Sequence, residues 1–312
     1  MIFEESPARD AYRIAIWGGW RRFIGCLPPG YDVRANLLLG NAIGRSSSGS
    51  RERIEANLHR AFPERDDIDT LALQTFETHI SHQYIPMSFK RITPRNAANY
   101  LRIEGLQHLE ALRKAQTGAV FMHPHMGPAQ LPLCTLGALG YPMHQIGGGQ
   151  VTGLSKIGQW ASDWRHRLEE DMQVTLHDGK DFLRPIIRAL EEGAFVMTTC
   201  DGTGGGEELG RRVVANVLGH RMHIPISPVF LALSAGVPLL TLSTHRNPTK
   251  GAAFRTEIGP PIELNREQPR KKVLEEGANA VGDFLSDVLS RYPADWHFWD
   301  HFEPGRFLES PA

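Results

Sequence analysis

The stretch AVFMHPHMGPAQLPL, residues 119–133, decides the fold prediction. Residues 119–123 form a short apolar run that predicts a buried strand, and the apolar residues at 131–139 predict a helix. Pro128 stands near the first position of that helix, where proline is well tolerated. In open α/β sheets, ligands bind where a strand ends and the chain turns into the following helix. We therefore expect a functional site at residues 122–132.

Downstream of this turn, predicted strands and helices alternate along the chain. The predicted strands cover residues 142–148, 173–176, 194–200 and 237–243, and the predicted helices cover residues 154–170, 181–192, 229–234 and 273–289. Such alternation predicts an α/β fold with a mainly parallel mixed sheet flanked by helices.

The first 50 residues are predicted to form a helical segment followed by a linker. Residues 14–27 suit a helix, but they are too few for a membrane span, which needs about 20 apolar residues, and Arg21 and Arg22 interrupt them. Two prolines and the run SSSGS predict a loose linker at residues 28–50. We therefore divide the chain into an N-terminal helical region at residues 1–50 and an α/β domain at residues 51–312, which opens with helices at 51–62 and 69–87.

The N-terminal helix carries aromatic residues beside its two arginines. Trp17, Trp20 and Phe23 together with Arg21 and Arg22 suit a helix that lies in a membrane interface. An ordinary helix packed on the domain explains the same residues equally well, so both interpretations stay open.

Composition excludes several classes of protein. The formal net charge of -1 gives no global basic field, so we expect no nucleic-acid partner. The three cysteines, Cys26, Cys134 and Cys200, are far apart and lack the spacing of a zinc site or a disulfide framework. No signal peptide is visible at the start of the sequence. A reducing compartment, the cytoplasm, is the simplest prediction.

Two histidines stand at the predicted strand-to-helix turn. Loops in this position concentrate function, which favours a functional role for His125. His123 lies two residues earlier and would face the same side of a strand, as a second polar wall of the site. A histidine that is hydrogen-bonded to the backbone is an equally good interpretation of His123.

Five segments, taken in order, carry a family resemblance. They are NLHRAFPE (57–64), HMGPAQ (125–130), GAFVMTTCDG (193–202), VLGHRMHIPISPVFLALSAGVPLL (217–240) and RYPADWHFWDHF (291–302). Their order and spacing resemble the bacterial lipid A biosynthesis (lauroyl/myristoyl) acyltransferases, within the lysophospholipid acyltransferase superfamily. In that family the second segment often reads H-F-G-N-W-E, with the histidine at the position of His125 and the glycine at the position of Gly127.

The resemblance implies a reaction and its participants. His125 would act as the general base that takes a proton from an acceptor as it attacks an acyl thioester. The donor would be an acyl carrier protein or coenzyme A thioester, the acceptor a hydroxyl or amine of a lipid, glycolipid or lipid-like molecule, and neither a metal nor a resident cofactor would be needed. A hydrophobic groove beside His125 would hold the acyl chain. The protein would lie peripherally on the cytoplasmic face of the inner membrane, with a soluble cytoplasmic protein as the alternative.

The chain departs from the family pattern at the expected acidic partner of the histidine. In the family, an Asp or Glu follows the histidine after a spacer of four residues. In this chain the spacer is residues 126–129, and the next position holds Gln130. Its carbonyl oxygen can accept the imidazole N–H, but it carries no charge that would stabilise an imidazolium. Three explanations stay open: Asp201 serves as the acid, the enzyme is slow or uses a more acidic acceptor, or the fold persists without the reaction.

The remaining candidate residues are assigned to substrate binding. The resemblance implies an arginine for the acidic part of the substrate, and Arg167 is our choice, with a solvated helix face as the alternative. Arg221 in the fourth segment is a weaker candidate for a phosphate contact. Asp201, His123 and Gly127 are the other residues predicted to bind substrate. The glycine-rich run at residues 202–206 lacks a P-loop signature and predicts a flexible loop over the site.

Two rival functions fit the same residues. A thioester hydrolase would use water in place of the acceptor. A non-catalytic protein that binds lipids or acyl carriers would explain the loss of the acid at Gln130.

Overall fold

A seven-stranded sheet organises the computed structural model, which describes residues 5–147, 153–179, 183–202, 210–262 and 264–310. The strand bounds are β1 (Leu101–Glu104), β2 (Ala119–His123), β3 (Met143–Gly147), β4 (Thr175–Asp178), β5 (Phe195–Thr199), β6 (Arg212–Val217), β7 (His220–Pro225), β8 (Leu239–Arg246) and β9 (Phe254–Ile258). The order in the sheet is β1-β9-β8-β2-β5-β3-β4. Strands β8, β2, β5, β3 and β4 are parallel, whereas β9 is antiparallel to β8 and parallel to β1. The prediction of a mainly parallel mixed sheet flanked by helices is confirmed.

Apolar residues on both faces bury the central strands. In β2, Val120 and Met122 join one hydrophobic cluster, whereas Ala119 and Phe121 join a second cluster on the opposite face. This alternation is the two-residue period of a strand, and an uninterrupted apolar run satisfies it only when both faces are covered. The central strands therefore hold the elements of both layers in fixed positions.

Helices cover the two faces of the sheet and form the N-terminal region. Their bounds are α1 (Pro7–Ile14), α2 (Arg21–Gly25), α3 (Tyr31–Ser46), α4 (Ser48–Ala61), α5 (Ile68–Tyr84), α6 (Ala97–Tyr100), α7 (Leu106–Lys114), α8 (Gln130–Ala138), α9 (Lys156–Glu170), α10 (Arg184–Glu191), α11 (Ser227–Ala235) and α12 (Arg270–Arg291), with a π-helical turn at Ala15–Trp20 and 3₁₀ turns at Ile85–Arg91, Pro293–Asp295 and Trp299–His301. The helices predicted from sequence at 51–62, 69–87, 131–139, 154–170, 181–192, 229–234 and 273–289 correspond to elements of this series.

The predicted linker at residues 28–50 is largely helical instead. Helix α3 occupies Tyr31–Ser46 and packs along α5. Gly40 and Gly44 make this packing close, because a Cβ atom at Gly40 would lie 2.5 Å from Glu77 Cα and one at Gly44 would lie 2.8 Å from the Leu73 side chain. Glycine lowers helix propensity, but the absence of a Cβ atom at these two positions allows the close contact between α3 and α5.

The N-terminal helices share a core with the rest of the chain. Ile16, Trp17, Ile80, Tyr84 and Ala161 belong to one buried cluster. Among the described residues, no helix is both long enough and apolar enough to span a membrane.

The antiparallel hairpin of β6 and β7 was not predicted from the sequence, and neither were β1 and β9. The two-residue turn of the β6–β7 hairpin places Leu218 and Gly219 at φ 51° and 76°, in the left-handed region that tight hairpins require. A leucine at the first of these positions is not a usual hairpin signal, because left-handed backbone is costly for a residue with a Cβ atom.

Candidate active site

His125 and Asp201 meet at the carboxyl edge of the sheet. Strands β2 and β5 are neighbours, with His123 paired to Thr199, and each of the two site residues follows its strand by two positions. The imidazole Nδ1 of His125 lies 2.8 Å from Asp201 Oδ1. The backbone N–H of His125 donates to Asp201 Oδ2 at 2.7 Å. One carboxylate thus fixes both the main chain and the ring of His125.

Asp201 is fully buried and ionised. Burial by itself raises the pKa of its carboxyl, but the His125 side chain and a hydrogen bond from the Trp296 indole outweigh burial, and the pKa lies below its usual value. The Trp296 Nε1 to Asp201 Oδ2 distance is 2.8 Å. A buried carboxylate with three donors is a stable acceptor for an imidazole N–H.

The other nitrogen of His125 is open. Because an ionised carboxylate only accepts hydrogen bonds, the neutral ring carries its hydrogen on Nδ1 and a lone pair on Nε2. Within the described ranges, Nε2 has no hydrogen-bond partner, and the side chain remains 23% exposed. The Phe298 ring packs 4.6 Å from the imidazole, centroid to centroid. This geometry suits proton abstraction by Nε2 from a molecule that enters from outside.

Gln130 does not pair with His125, which corrects the expectation that its carbonyl accepts the imidazole N–H. Its Oε1 accepts a hydrogen bond from Arg165 Nη2 at 3.1 Å, and its Nε2 donates to Glu169 Oε1 at 3.2 Å. Arg165 Nε also donates to Glu169 Oε1 at 2.9 Å. Both ends of the amide therefore tie α8 to α9, and the carboxylate at His125 comes from Asp201.

His123 is a buried residue bonded to the backbone. Its Nδ1 lies 3.2 Å from the carbonyl oxygen of Pro124, and burial, followed by the charge of His125, lowers its pKa to about 4. Its ring centroid lies 6.4 Å from that of His125. Of the two interpretations of His123, the geometry matches the backbone-bonded one.

Gly127 makes the turn after the strand possible. Its φ is +54°, and a Cβ atom there would lie 2.7 Å from the carbonyl oxygen of Thr244. Its N–H donates to the carbonyl of Asp295 at 2.8 Å. A left-handed backbone and a close approach both favour glycine, so the residue shapes the site rather than offering a side chain to substrate.

The two predicted arginines lie elsewhere on the surface. Arg167 is exposed, with its guanidinium carbon 5.7 Å from the Trp164 ring, and it makes no contact with His125 or Asp201 in the part of the chain that the structure describes. Arg221 lies on β7 and pairs with Glu309. Arg165 of α9 instead contacts a predicted site residue, because its Nη2 donates a hydrogen bond to Gln130 Oε1. The loop predicted at 202–206 lies outside the described residues from position 203.

Sequence reasoning missed three residues that the C-terminal segment and α5 bring to the site. His297 donates its N–H to the carbonyl of His125 at 3.0 Å, and its Nε2 lies 2.6 Å from the carbonyl oxygen of Gly127. His82 Nδ1 accepts the N–H of Ala129 at 3.3 Å. Trp296 is the third. The aromatic residues of RYPADWHFWDHF are the available signal for Trp296, but several aromatic side chains in so short a stretch usually indicate core packing.

Two comparisons with known proteins identify the family of this chain. Residues 6–301 match the model of a family described as bacterial lipid A biosynthesis acyltransferase. A curated relative, Lipid A biosynthesis acyltransferase 2 of Shigella flexneri, is 23% identical over 172 residues, which are 54% of this chain and 53% of that relative. The chain therefore spans about half the length of this relative, whereas the family match covers nearly all of the chain.

Proposed function

Because this chain belongs to the bacterial lipid A biosynthesis acyltransferase family, we propose that it transfers a fatty acyl group from an acyl thioester to a hydroxyl or amine of a lipid, glycolipid or lipid-like acceptor. The observation that carries the proposal is the His125–Asp201 pair, with Nδ1 bound to the carboxylate and Nε2 open. Acyl carrier protein and coenzyme A are the two candidate donors.

The proposed reaction uses this pair as follows. His125 Nε2 takes the proton of the acceptor as its oxygen or nitrogen attacks the thioester carbonyl. The C–S bond then breaks, the new ester or amide forms, and the thiolate leaves with the proton that the imidazolium held. Asp201 stabilises the transient imidazolium and keeps the hydrogen on Nδ1, as the carboxylate does in serine hydrolases. General-base help of this kind contributes about 10²–10⁴-fold in rate.

Asp201 supplies the carboxylate that position 130 lacks. Of the three explanations for Gln130, the geometry favours an acid from another strand end, because Asp201 already makes the contact that the family acid would make. This weakens the argument for a non-catalytic homologue, which rested on Gln130.

We propose that the N-terminal region lies on the membrane surface. Ile14, Phe23 and Leu38 are exposed by 51%, 53% and 73%, and Arg21 and Arg22 lie beside Phe23. Exposed apolar residues next to cations suit a peripheral helix on anionic lipid. A peripheral site would present the membrane-bound acceptor to His125 on the cytoplasmic face of the inner membrane.

An acyl-transfer assay with mass-spectrometric product detection tests the proposal. Purified protein is given an acyl-carrier-protein or coenzyme A thioester and a glycolipid acceptor, and acylated acceptor is expected. His125→Ala should lower the rate by about 10²–10⁴-fold. The control is His59→Ala, because His59 is exposed on α4. Equal rates for His125→Ala and His59→Ala would refute the assignment.

A thioester hydrolase is the second candidate. The observation that favours it is the partial exposure of His125, which lets water reach Nε2. The same assay without an acceptor separates the two functions: a hydrolase releases free fatty acid at a rate that the acceptor does not change, whereas a transferase diverts the acyl group to the acceptor.

A further inference from the structure

The backbone at residues 125–129 joins β2 to α8 and depends on partners outside these two elements. The carbonyl of His125 accepts from the N–H of His297, and the N–H of Gly127 donates to the carbonyl of Asp295. The carbonyl of Gly127 and the N–H of Ala129 are bound by two histidine side chains. Buried backbone groups need such partners, and here imidazoles supply two of them.

The His297 ring is a hydrogen-bond donor to this turn. Its Nε2 lies 2.6 Å from the carbonyl oxygen of Gly127, and a carbonyl only accepts, so Nε2 carries the hydrogen. The residue is buried, and its Nδ1 has no partner among the described residues. Burial lowers the pKa of His297 to about 4, so the ring is neutral at pH 7.

The His82 ring is a hydrogen-bond acceptor for the same turn. Its Nδ1 accepts the N–H of Ala129, which requires a neutral ring with the hydrogen on Nε2. The His82 and His297 rings pack with their centroids 4.6 Å apart and their planes tilted by 30°. His82 lies on α5, so the ring pair joins α5 and the C-terminal segment to the turn.

We propose that His297 and His82 are positioning residues, which hold the turn at residues 125–129 and thereby aim His125 Nε2 at the acceptor. The inference rests on the proposed function, because aiming matters only if His125 reacts. Neither ring is assigned a contact with substrate.

The conformation of Gly127 explains why the turn needs hydrogen bonds from outside. Gly127 is left-handed, with φ +54°, and glycine leaves this region at little cost when its bonds are lost. It lies two residues from His125, so a shift of its carbonyl moves the base. A misplacement of about 1 Å at a reacting group can reduce a rate by roughly 10²-fold.

Paired substitutions at each histidine test the proposal. At His297, glutamine retains an N–H donor at a similar reach, whereas leucine removes it. At His82, asparagine retains an acceptor near the position of Nδ1, whereas leucine removes it. We expect the leucine variants to lower kcat at least about tenfold with KM little changed. The glutamine and asparagine variants should restore kcat toward the wild-type value.

A spectroscopic measurement makes the test independent of activity. The Nδ1–H of His125, bound to a buried carboxylate, should give a downfield ¹H NMR resonance that disappears in His125→Ala. The resonance should shift or broaden in His297→Leu and return in His297→Gln, as kcat does. Full kcat with an unshifted resonance in both leucine variants would overturn the proposal. So would folded glutamine and asparagine variants as impaired as the leucine variants.

The two failures can be told apart. If the proposed acyl transfer is wrong, the wild-type protein forms no acylated acceptor, yet the resonance still reports whether His297 and His82 hold His125. If only the positioning role is wrong, transfer proceeds and the leucine variants behave like the wild type.

Discussion

The indole nitrogen of Trp296 lies 2.8 Å from Oδ2 of Asp201, the same oxygen that accepts the backbone N–H of His125. Three donors therefore converge on one carboxylate that has no exposure to solvent. Hydrogen bonds from neutral donors to an ionised group are stronger than those between neutral groups, and they keep this buried carboxyl charged. The indole thus contributes to the electrostatics of His125 through Asp201.

Trp296→Phe should move the acid limb of the pH–rate profile to higher pH. The substitution keeps a ring but removes one donor, so the pKa of Asp201 rises and the carboxylate is neutralised earlier as the pH falls. The free energy of unfolding should fall by about 1–3 kcal/mol. Trp299→Phe is the control, because the Trp299 indole donates to the carbonyl of Pro293. An acid limb that shifts equally in both variants would contradict the assignment.

Asp201→Asn should reduce kcat by roughly 10²–10⁴-fold, by analogy with the carboxylate-to-amide change in serine proteases. The amide can donate to Nδ1, which places the hydrogen on Nε2 and removes the lone pair of the proposed base. The measurement is kcat at saturating donor, together with circular dichroism to verify folding. Asp163→Asn, on the exposed side of α9, is the matched control and should keep the wild-type rate. A folded Asp201→Asn variant with the wild-type kcat would remove Asp201 from the mechanism.

Gln130→Glu should not raise the rate, although it recreates the family pattern. The new carboxylate would lose the hydrogen bond to Glu169 and would lie about 3 Å from that residue's negative charge. We expect the free energy of unfolding to fall by about 1–3 kcal/mol. The double variant Gln130→Glu with Glu169→Gln exchanges amide and carboxylate and should recover stability in a urea titration. A single variant faster than the wild type would show that position 130 still acts on His125.

Stability should increase with pH between about 4 and about 6.5, the ordinary pKa of histidine. Burial lowers the pKa of His79, His82, His123 and His297 in the folded protein, so over this range the unfolded chain binds more protons. Each contributes up to about 1.4 kcal/mol per pH unit, and the contribution is lost as the pH falls. Urea titrations at pH 7.5 and 5.0 measure the difference. His297→Gln should show a smaller dependence, and equal unfolding free energies at the two pH values would contradict the prediction.

The sequence was sufficient for the elements that carry their own periodicity. The apolar runs of β2 and β5 and the turn after His125 were predicted because both faces of the central strands are buried. Asp201 could be placed near His125 because neighbouring parallel strands end at one edge of the sheet. These inferences depend only on local pattern and on general sheet geometry.

The rest depended on contacts between distant residues. The direction of the Gln130 side chain is set by Arg165 and Glu169, which belong to a helix 35 and 39 residues away in sequence. The two prolines and the run SSSGS predict a linker where helix α3 forms, because the packing that favours this helix, at Gly40 and Gly44 against α5, joins residues distant in sequence. His297 gave no local signal, since its partner is a backbone carbonyl 170 residues earlier.

The β2–β5 pairing also has a consequence for the order of events during folding. His125 and Asp201 are 76 residues apart, and β5 lies in the sheet between β2 and β3, which precede it in the chain. The His125–Asp201 pair therefore forms only after β5 has inserted between two strands that precede it in the chain. This is a non-local step of the kind that slows folding. The rate at which activity returns during refolding would therefore report the rate of that insertion, separately from the rate of helix formation.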